Sequence, residues 1–167
     1  GASSGMGLST ARVLSARGAK VYTAQRRRGE HTWIEADFTD ANAAKAVIDD
    51  FSKSEQHLDI LVNNAGIMRE GTVEETSFED WQAQITVNLT IPFLFIKHAL
   101  PLLRVRGAAI VNVGSIEGLA SNPRHLAYCA SKGGLHALTR AVAVDYGPED
   151  IRCNGVAPGW IDTPLNV

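Results

Sequence analysis

Tyr128 and Lys132 are the two residues of this sequence whose types and spacing point most directly to proton transfer. They lie four positions apart in a segment predicted to be helical, which places both side chains on one face of the helix. A free tyrosine, with a pKa of about 10, exchanges protons slowly near neutral pH. A neighbouring ammonium favours the phenolate and lowers that pKa, which suits a general acid or base. Ordinary surface neighbours have the same spacing, so the pair alone does not decide the chemistry.

Ser115 follows a predicted buried strand, residues 108–113, at the point where the strand ends. Open parallel sheets bind ligands beyond the carboxyl ends of their strands, and a hydroxyl there can donate to a carbonyl oxygen. Two further strand ends are predicted at the same edge, one followed by Asn-Asn-Ala-Gly at residues 63–66 and one by Pro158 and Gly159. We therefore expect these segments to line one crevice together with Tyr128.

The first seven residues, Gly-Ala-Ser-Ser-Gly-Met-Gly, form a glycine-rich turn that runs directly into a predicted helix. Glycine allows the backbone to turn tightly and to approach a pyrophosphate, which then sits on the free N–H groups of the helix. A flexible glycine-rich terminus has the same composition. The predicted phosphate-binding residues are Gly1, Ser3, Ser4, Gly5, Met6 and Gly7.

The predicted strand at residues 20–25 ends in Gln25, and Arg26 and two more arginines follow it. In dinucleotide-binding folds, an acidic residue about 20 positions beyond the glycine turn usually holds the ribose hydroxyls. A neutral glutamine followed by arginines instead suits a ribose with a 2′-phosphate, because arginine matches phosphate in geometry and charge. The pattern favours NADP over NAD, although a solvated basic loop looks the same.

Helical and strand patterns alternate along the chain, which predicts a parallel sheet with helices on both faces. The predicted helices are residues 8–17, 40–51, 77–104 and 124–146. The predicted strands are residues 20–25, 33–36, 58–63, 108–113 and 151–157. We therefore expect a Rossmann-like, doubly wound α/β fold in three layers, with residues 1–167 forming a single dinucleotide-binding and catalytic domain.

Two features depart from a regular fold of this kind. No strand is predicted before the glycine turn, so we expect an incomplete domain that lacks its first strand. Only residues 26–31 join the first two predicted strands, whereas parallel neighbours normally need a crossover of about a dozen residues. Either the link returns nearly extended, at about 3.3 Å per residue, or residues are missing at this join.

The composition limits the remaining classes of function. A net charge of −2 and a pI of about 6.2 provide no basic surface for nucleic acid. Two cysteines without ligand spacing predict no metal site. The most apolar stretch, residues 85–103, contains Asn88, a lysine, a histidine and two prolines, so we expect no membrane span. The same features favour a cytoplasmic protein.

Taken together, the motifs resemble those of the short-chain dehydrogenase/reductase family, in its non-extended branch. The matching elements come in the order of the family and span nearly the whole sequence. They are the glycine turn at residues 1–7, Asp37, Asn63-Asn64-Ala65-Gly66, Asn88, Ser115, Tyr128 with Lys132, and Pro158-Gly159 with Thr163. Relative to the family, the sequence lacks the first strand, the helix usual at residues 26–31 and the region beyond Thr163 that covers the substrate.

The resemblance implies a role for each matching residue. Tyr128 would be the general acid or base, and Ser115 would orient the carbonyl. Lys132 would lower the pKa of Tyr128 and bind the nicotinamide ribose, while Asn88 would hold a water that links Lys132 to solvent. With Gln25 and Arg26, the expected cofactor contacts away from the glycine turn are Asp37, Phe38, Asn63, Asn64, Ala65, Gly66, Tyr128, Lys132, Pro158, Gly159, Ile161 and Thr163.

These expectations predict an oxidoreductase that transfers a hydride between NAD(P) and a small-molecule carbonyl or alcohol, whose identity stays open. The alternative is a catalytically inactive dinucleotide-binding sensor or scaffold of the same fold. We also expect a homo-oligomer, a tetramer or a dimer, paired through the two long helices. Its predicted apolar contact face comprises Phe93, Phe95, Leu138 and Val142.

Two residues near the tyrosine have open interpretations. His125 either faces the substrate or is an ordinary residue at the start of a helix. Glu117 either reaches the pocket or lies in a solvated loop. The sequence does not choose between these alternatives.

Overall fold

The computed structural model describes residues 1–163 and confirms the predicted alternation of helices and strands. The helices are α1 (Gly5–Ala16), α2 (Ala43–Phe51), α3 (Phe78–Ile85), α4 (Ile91–Leu103) and α5 (Leu126–Tyr146). The strands are β1 (Tyr22–Gln25), β2 (Thr32–Glu35), β3 (Ile60–Asn63), β4 (Ala108–Val113) and β5 (Ile151–Val156). A π-helical turn, Thr86–Thr90, joins α3 to α4, and short 3₁₀ turns cover Ile116–Gly118 and Gly147–Glu149.

All strand pairs are parallel, and they form two sheets, β1–β2 and β3–β4–β5. A largely apolar trough of about 540 Å³ lies between the two sheets, with Ala24 of β1 on one side and Val62 of β3 on the other. No described residue forms a strand in this trough, which is where the expected first strand of the fold would lie. The carboxyl ends of β3 and β4 lie side by side, because Asn63 is in register with Asn112.

The six-residue link at residues 26–31 returns the chain without a helix. Tyr22 pairs with Thr32 and Gln25 with Glu35, so β1 and β2 are parallel neighbours despite the short connection. The buried Gln25 side chain braces the link, since its Nε2 donates to the Arg27 carbonyl over 2.9 Å. Whether residues are missing at this join stays open, as the sequence left it.

The predicted long helix at residues 77–104 is continuous in direction but contains the π-helical turn. Pro92 has no N–H to donate to the Asn88 carbonyl, which removes one ordinary helical hydrogen bond at this point. The helical run Phe78–Leu103 is long and apolar enough to cross a membrane by length and composition. Here it contains the fully buried Gln84 and Asn88 and packs against α2 and α5, as a core helix does.

The main core lies between α2, α4, α5 and the β3–β4–β5 sheet. Phe95 and Val142 are buried in it, and Leu138 packs against it, whereas Phe93 is 45% exposed. The prediction that Phe95 and Val142 form an outer contact face is therefore wrong. The apolar pattern of these helices is broad enough to serve the core on several sides, which is why periodicity alone misassigned the two side chains.

Candidate active site

Ser115 and Tyr128 are brought together by the end of β4 and the first turn of α5. Both side chains are nearly buried, and Tyr128 is 8% exposed. The Ser115 hydroxyl accepts a hydrogen bond from the Glu117 N–H over 3.1 Å, and it lowers the pKa of the Tyr128 phenol. The Glu117 N–H thus orients the Ser115 hydroxyl, which can turn its proton toward a bound carbonyl oxygen.

Burial raises the pKa of Tyr128 above its ordinary value of 10, the Ser115 hydrogen bond lowers it, and the nearby Glu117 carboxylate adds to the rise. The net direction is opposite to the expected effect of Lys132. The reason is geometric, because Lys132 Nζ lies 5.6 Å from the Tyr128 ring centroid and donates to the Val113 carbonyl over 2.8 Å. A phenol whose pKa lies above 10 is protonated at neutral pH.

Lys132 and Asn88 lie next to each other beside the Asn-Asn-Ala-Gly segment. A Cβ placed on Gly66 would be 3.4 Å from Asn88 Oδ1 and 3.5 Å from Lys132 Nζ. The Asn88 amide holds the Ile67 backbone through two hydrogen bonds of 2.9 Å and donates to Ser131 Oγ over 3.0 Å. Burial lowers the pKa of Lys132 from 10.5 to about 8. The ammonium therefore titrates much closer to neutral pH than an exposed lysine does.

The glycine turn packs directly on the end of β3. Gly5 has a φ of +54°, a conformation that favours glycine. A Cβ on Gly7 would overlap the carbonyl of Gly1, which accepts a hydrogen bond from Asn64 Nδ2 over 2.6 Å. Ser3 and Ser4 are exposed at the start of the 12-residue helix α1, and the Ser4 side chain makes no capping bond. The positive end of α1 thus lies at the glycine turn, where Gly1 packs against Ala65.

The residues expected at the adenosine end occupy two neighbouring strand ends with different environments. Gln25 is buried and accepts a hydrogen bond from Ala2 N over 2.8 Å, so its amide ties the glycine turn to the arginine link. Arg26 is exposed and helps to lower the pKa of Asp37, whose carboxylate mainly accepts hydrogen bonds from Thr39. The Phe38 ring packs edge-on against Phe95 in the core.

The segment after β5 closes the opposite side of the crevice. The Pro158 carbonyl accepts a hydrogen bond from Ile116 N over 3.1 Å, which ties the segment to the loop after Ser115. Thr163 lies over the glycine turn, 3.2 Å from the position of a Cβ on Gly5. A small pocket joins these parts, and its lining residues include Met6, Ser115, Tyr128, Pro158, Gly159 and Ile161.

The sequence did not predict the partners of two buried polar groups near the site. Asn63 Nδ2 donates to Asn112 Oδ1 over 2.8 Å, and Asn112 donates to Thr139 Oγ1 over 2.9 Å, so the Asn63 amide faces the sheet. Glu117 and His125 form the second group, with 2.6 Å between Oε2 and Nδ1. Glu117 therefore lies in the pocket wall and not in a solvated loop. In the sequence, the one feature that could have indicated these pairs is a polar residue within an apolar segment, as at Asn112 in strand β4.

The residues present fit a nicotinamide dinucleotide. The glycine turn leaves no room for a Cβ at Gly7, and it opens onto the positive end of α1, as a pyrophosphate requires. Asn64, Ala65 and Gly66 lie between this turn and Lys132. In the part of the chain that the structure describes, no group of three or more His, Cys, Asp or Glu side chains is placed to hold a metal.

The chain is similar in sequence to known oxidoreductases over nearly its whole length. A family profile described as "Enoyl-(Acyl carrier protein) reductase" matches residues 1–167. The trans-4-hydroxycyclohexanecarboxylate dehydrogenase of Sinomonas cyclohexanicum is 36% identical over 99% of this chain and 71% of its own length. The cyclopentanol dehydrogenase of Comamonas sp. is also 36% identical, over 99% of this chain and 72% of its own.

Other relatives match a smaller share of their own length. The 3β-hydroxysteroid dehydrogenase of Mediterraneibacter gnavus is 39% identical over 89% of this chain, and the match covers 55% of that enzyme. Ligand-free Thermoplasma acidophilum aldohexose dehydrogenase superposes with a TM-score of 0.93 at 37% identity, over 99% of this chain and 66% of that one. A short-chain dehydrogenase from Streptomyces avermitilis gives a TM-score of 0.92 at 30% identity, over 99% and 65%. The predicted Rossmann-like fold is confirmed by these superpositions.

Proposed function

The chain belongs to the short-chain dehydrogenase/reductase family, and we propose that it is the dinucleotide-binding and catalytic domain of an NADP-linked enzyme that interconverts a secondary alcohol and a ketone. The family and its named dehydrogenases establish an oxidoreductase that uses a nicotinamide dinucleotide. The observation that supports the finer proposal is that Ser115, Tyr128 and Met6 of the glycine turn line one pocket. Lys132 and Asn88 lie next to each other beside Gly66.

The residues of this pocket divide the work of proton transfer. When bound, the nicotinamide supplies or accepts the hydride. The Ser115 hydroxyl would polarise the substrate oxygen by donating a hydrogen bond, and the buried Tyr128 phenol would deliver or remove the proton at that oxygen. Lys132, held by the Val113 carbonyl, provides the positive charge that stabilises a phenolate once the tyrosine has given up its proton. Asn88 fixes the segment at Ile67 beside Lys132.

The same arrangement argues against an inactive sensor. A protein that only binds a dinucleotide needs the glycine turn and the strand ends, but it has no use for a buried phenol, hydroxyl and ammonium around a second pocket. Burying these groups costs free energy, so their presence supports a chemical role.

We also propose that the enzyme is cytoplasmic and that it forms a homo-oligomer.

For the substrate, we propose a compact alicyclic secondary alcohol. The pocket next to Tyr128 has apolar walls, and the side chains that contribute to them are Met6, Met68, Ile116, Trp160 and Ile161. Apolar walls favour a hydrocarbon ring over a polyhydroxylated one, whose hydroxyls would lose their hydrogen bonds to water. The ring-alcohol substrates in the names of several relatives support the same class.

A substrate screen of the full-length protein tests this proposal. We expect cyclopentanol and cyclohexanol to be oxidised with kcat/KM at least about tenfold above that of an aldohexose, because each apolar contact in such a pocket contributes to discrimination. Reduced nicotinamide absorbance is the readout, with both NADP and NAD as cofactors. Turnover of the aldohexose in preference to the cyclic alcohols would contradict the substrate class, and absence of turnover with every alcohol and ketone would contradict the enzyme.

The NADP preference rests on the exposed Arg26 at the end of β1. Replacing Arg26 with alanine should raise the KM for NADP by about tenfold to a hundredfold and leave the KM for NAD unchanged, since only the 2′-phosphate would lose a charge-assisted hydrogen bond. Arg17→Ala removes an exposed arginine outside the β1–β2 link and serves as the control. A wild-type protein that prefers NAD would refute this assignment.

A further inference from the structure

Glu117 and His125 form a buried pair that the catalytic scheme above does not use. Glu117 is 8% exposed and His125 is 5% exposed, and 2.6 Å separates Oε2 from Nδ1. The carboxylate also accepts hydrogen bonds from Asn122 Nδ2 over 2.8 Å and from Cys129 Sγ over 3.6 Å. A carboxylate that is buried and accepts several hydrogen bonds is costly to remove from water, and all of its partners belong to the loop after Ser115 or the first turn of α5.

The position of Glu117 along the chain connects this pair to both reacting hydroxyls. Its backbone N–H donates to Ser115 Oγ over 3.1 Å. Its side chain holds His125 and Cys129, which lie three residues before and one residue after Tyr128. One residue therefore touches Ser115 through its backbone and both flanks of Tyr128 through its carboxylate.

A second contact anchors the other end of the pair. Gly71 N donates to the Arg124 carbonyl over 2.6 Å, and Gly71 and His125 form an isolated parallel bridge. Arg124 has a φ of +68°, so the chain turns sharply just before His125. The pair thus joins the stretch between Ser115 and α5 to the backbone at Gly71.

We infer that the Glu117–His125 pair is a positioning element, which fixes the Ser115 hydroxyl relative to the Tyr128 phenol. This inference rests on the proposed function, because the distance between the two hydroxyls matters only if both act on one substrate oxygen. A displacement of about 1 Å between reacting groups can lower a rate about a hundredfold. Glu117 and His125 act through Ser115 and Tyr128 and need not touch the substrate.

The pair also has an electrostatic consequence that a purely structural contact would lack. The ionisable groups that face Tyr128 are Glu117, Cys129 and Lys132, and the Glu117 carboxylate adds to the raised pKa of the phenol. On the side of the His125 ring away from Glu117, Glu70 Oε1 lies 3.9 Å from His125 Nε2. Arg124 Nε lies 3.8 Å from Glu70 Oε2. Replacing Glu117 with glutamine keeps most of the shape but removes this charge, which should lower the pKa of Tyr128.

The experiment compares Glu117→Gln, His125→Gln and the double variant in the full-length protein. We expect each single change to lower kcat about tenfold to a hundredfold with an unchanged Kd for NADP, and the double variant to be no worse than Glu117→Gln, since both changes break one unit. The matched control is Glu70→Gln, which removes the exposed carboxylate on the far side of His125. It should retain wild-type kcat.

A phenolate titration provides the readout that does not depend on turnover. The absorbance of ionised tyrosine is followed against pH, and the curve of Tyr128→Phe is subtracted to isolate Tyr128. The midpoint should move to lower pH in Glu117→Gln and stay unchanged in Glu70→Gln. If the wild-type protein turns over no alcohol, the proposed function fails while this titration still decides the electrostatic link. Unchanged kcat together with an unchanged midpoint in Glu117→Gln, or additive losses in the double variant, would overturn the inference.

Discussion

Replacing Tyr128 with phenylalanine should lower kcat by about 10²- to 10⁴-fold, the range that a positioned general acid or base contributes. The Tyr128 side chain is 8% exposed, so a water molecule from bulk solvent cannot easily replace the phenol as proton donor. Phenylalanine keeps the ring and therefore the packing of the first turn of α5. The Kd for NADP, measured by nucleotide fluorescence, should change by less than about twofold, because the ring contributes no charge to the glycine turn.

Tyr146→Phe provides the control for this measurement. Tyr146 lies at the far end of the same helix, where its ring faces the Arg104 guanidinium at 5.6 Å. Loss of its hydroxyl should leave kcat unaltered. Full activity of Tyr128→Phe would remove the phenol from the chemistry.

The features of the site that depend on local sequence were predictable. Ser115 directly follows a buried strand, and Tyr128 and Lys132 share a helix face, so their placement needed only the strand direction and the helical repeat. The alternation of elements likewise predicted the parallel sheets. The short link at residues 26–31 left two alternatives open, an extended return or missing residues, because its length sets only a geometric limit.

The features that depend on contacts between distant segments were not predictable. Gln25 is in the expected place, but its amide is taken up by Ala2 and Arg27, which no spacing rule reveals. The Glu117–His125 pair needs the loop after β4 to fold back on α5, and Phe95 is buried because α2 covers it. Even the sign of the pKa shift at Tyr128 depended on burial, which outweighs a lysine that bonds to Val113 instead.

Replacing Lys132 with methionine should produce a protein that is more stable and nearly inactive. Lys132 is 3% exposed, and burial lowers its pKa from 10.5 to about 8. A pKa difference of one between the folded and unfolded states corresponds to about 1.4 kcal/mol. The buried charge of Lys132 therefore destabilises the fold by about 3 kcal/mol at neutral pH. Methionine is similar in length and removes this penalty, while the lost bond to the Val113 carbonyl costs about 1 kcal/mol. We expect a net gain of about 2 kcal/mol in the free energy of unfolding, measured in urea.

The pH dependence of the free energy of unfolding distinguishes loss of the buried Lys132 charge from a change in packing. Between pH 8 and pH 10.5 the folded protein binds fewer protons at Lys132 than the unfolded chain does, so the free energy of unfolding of the wild type should rise with pH across that window. The rise should be absent in Lys132→Met and retained in Lys97→Met, which alters an exposed lysine of α4. Enzymes keep such groups because the charge that destabilises the ground state is the one that stabilises a phenolate at Tyr128. A Lys132→Met protein that is less stable than the wild type at every pH would contradict this account.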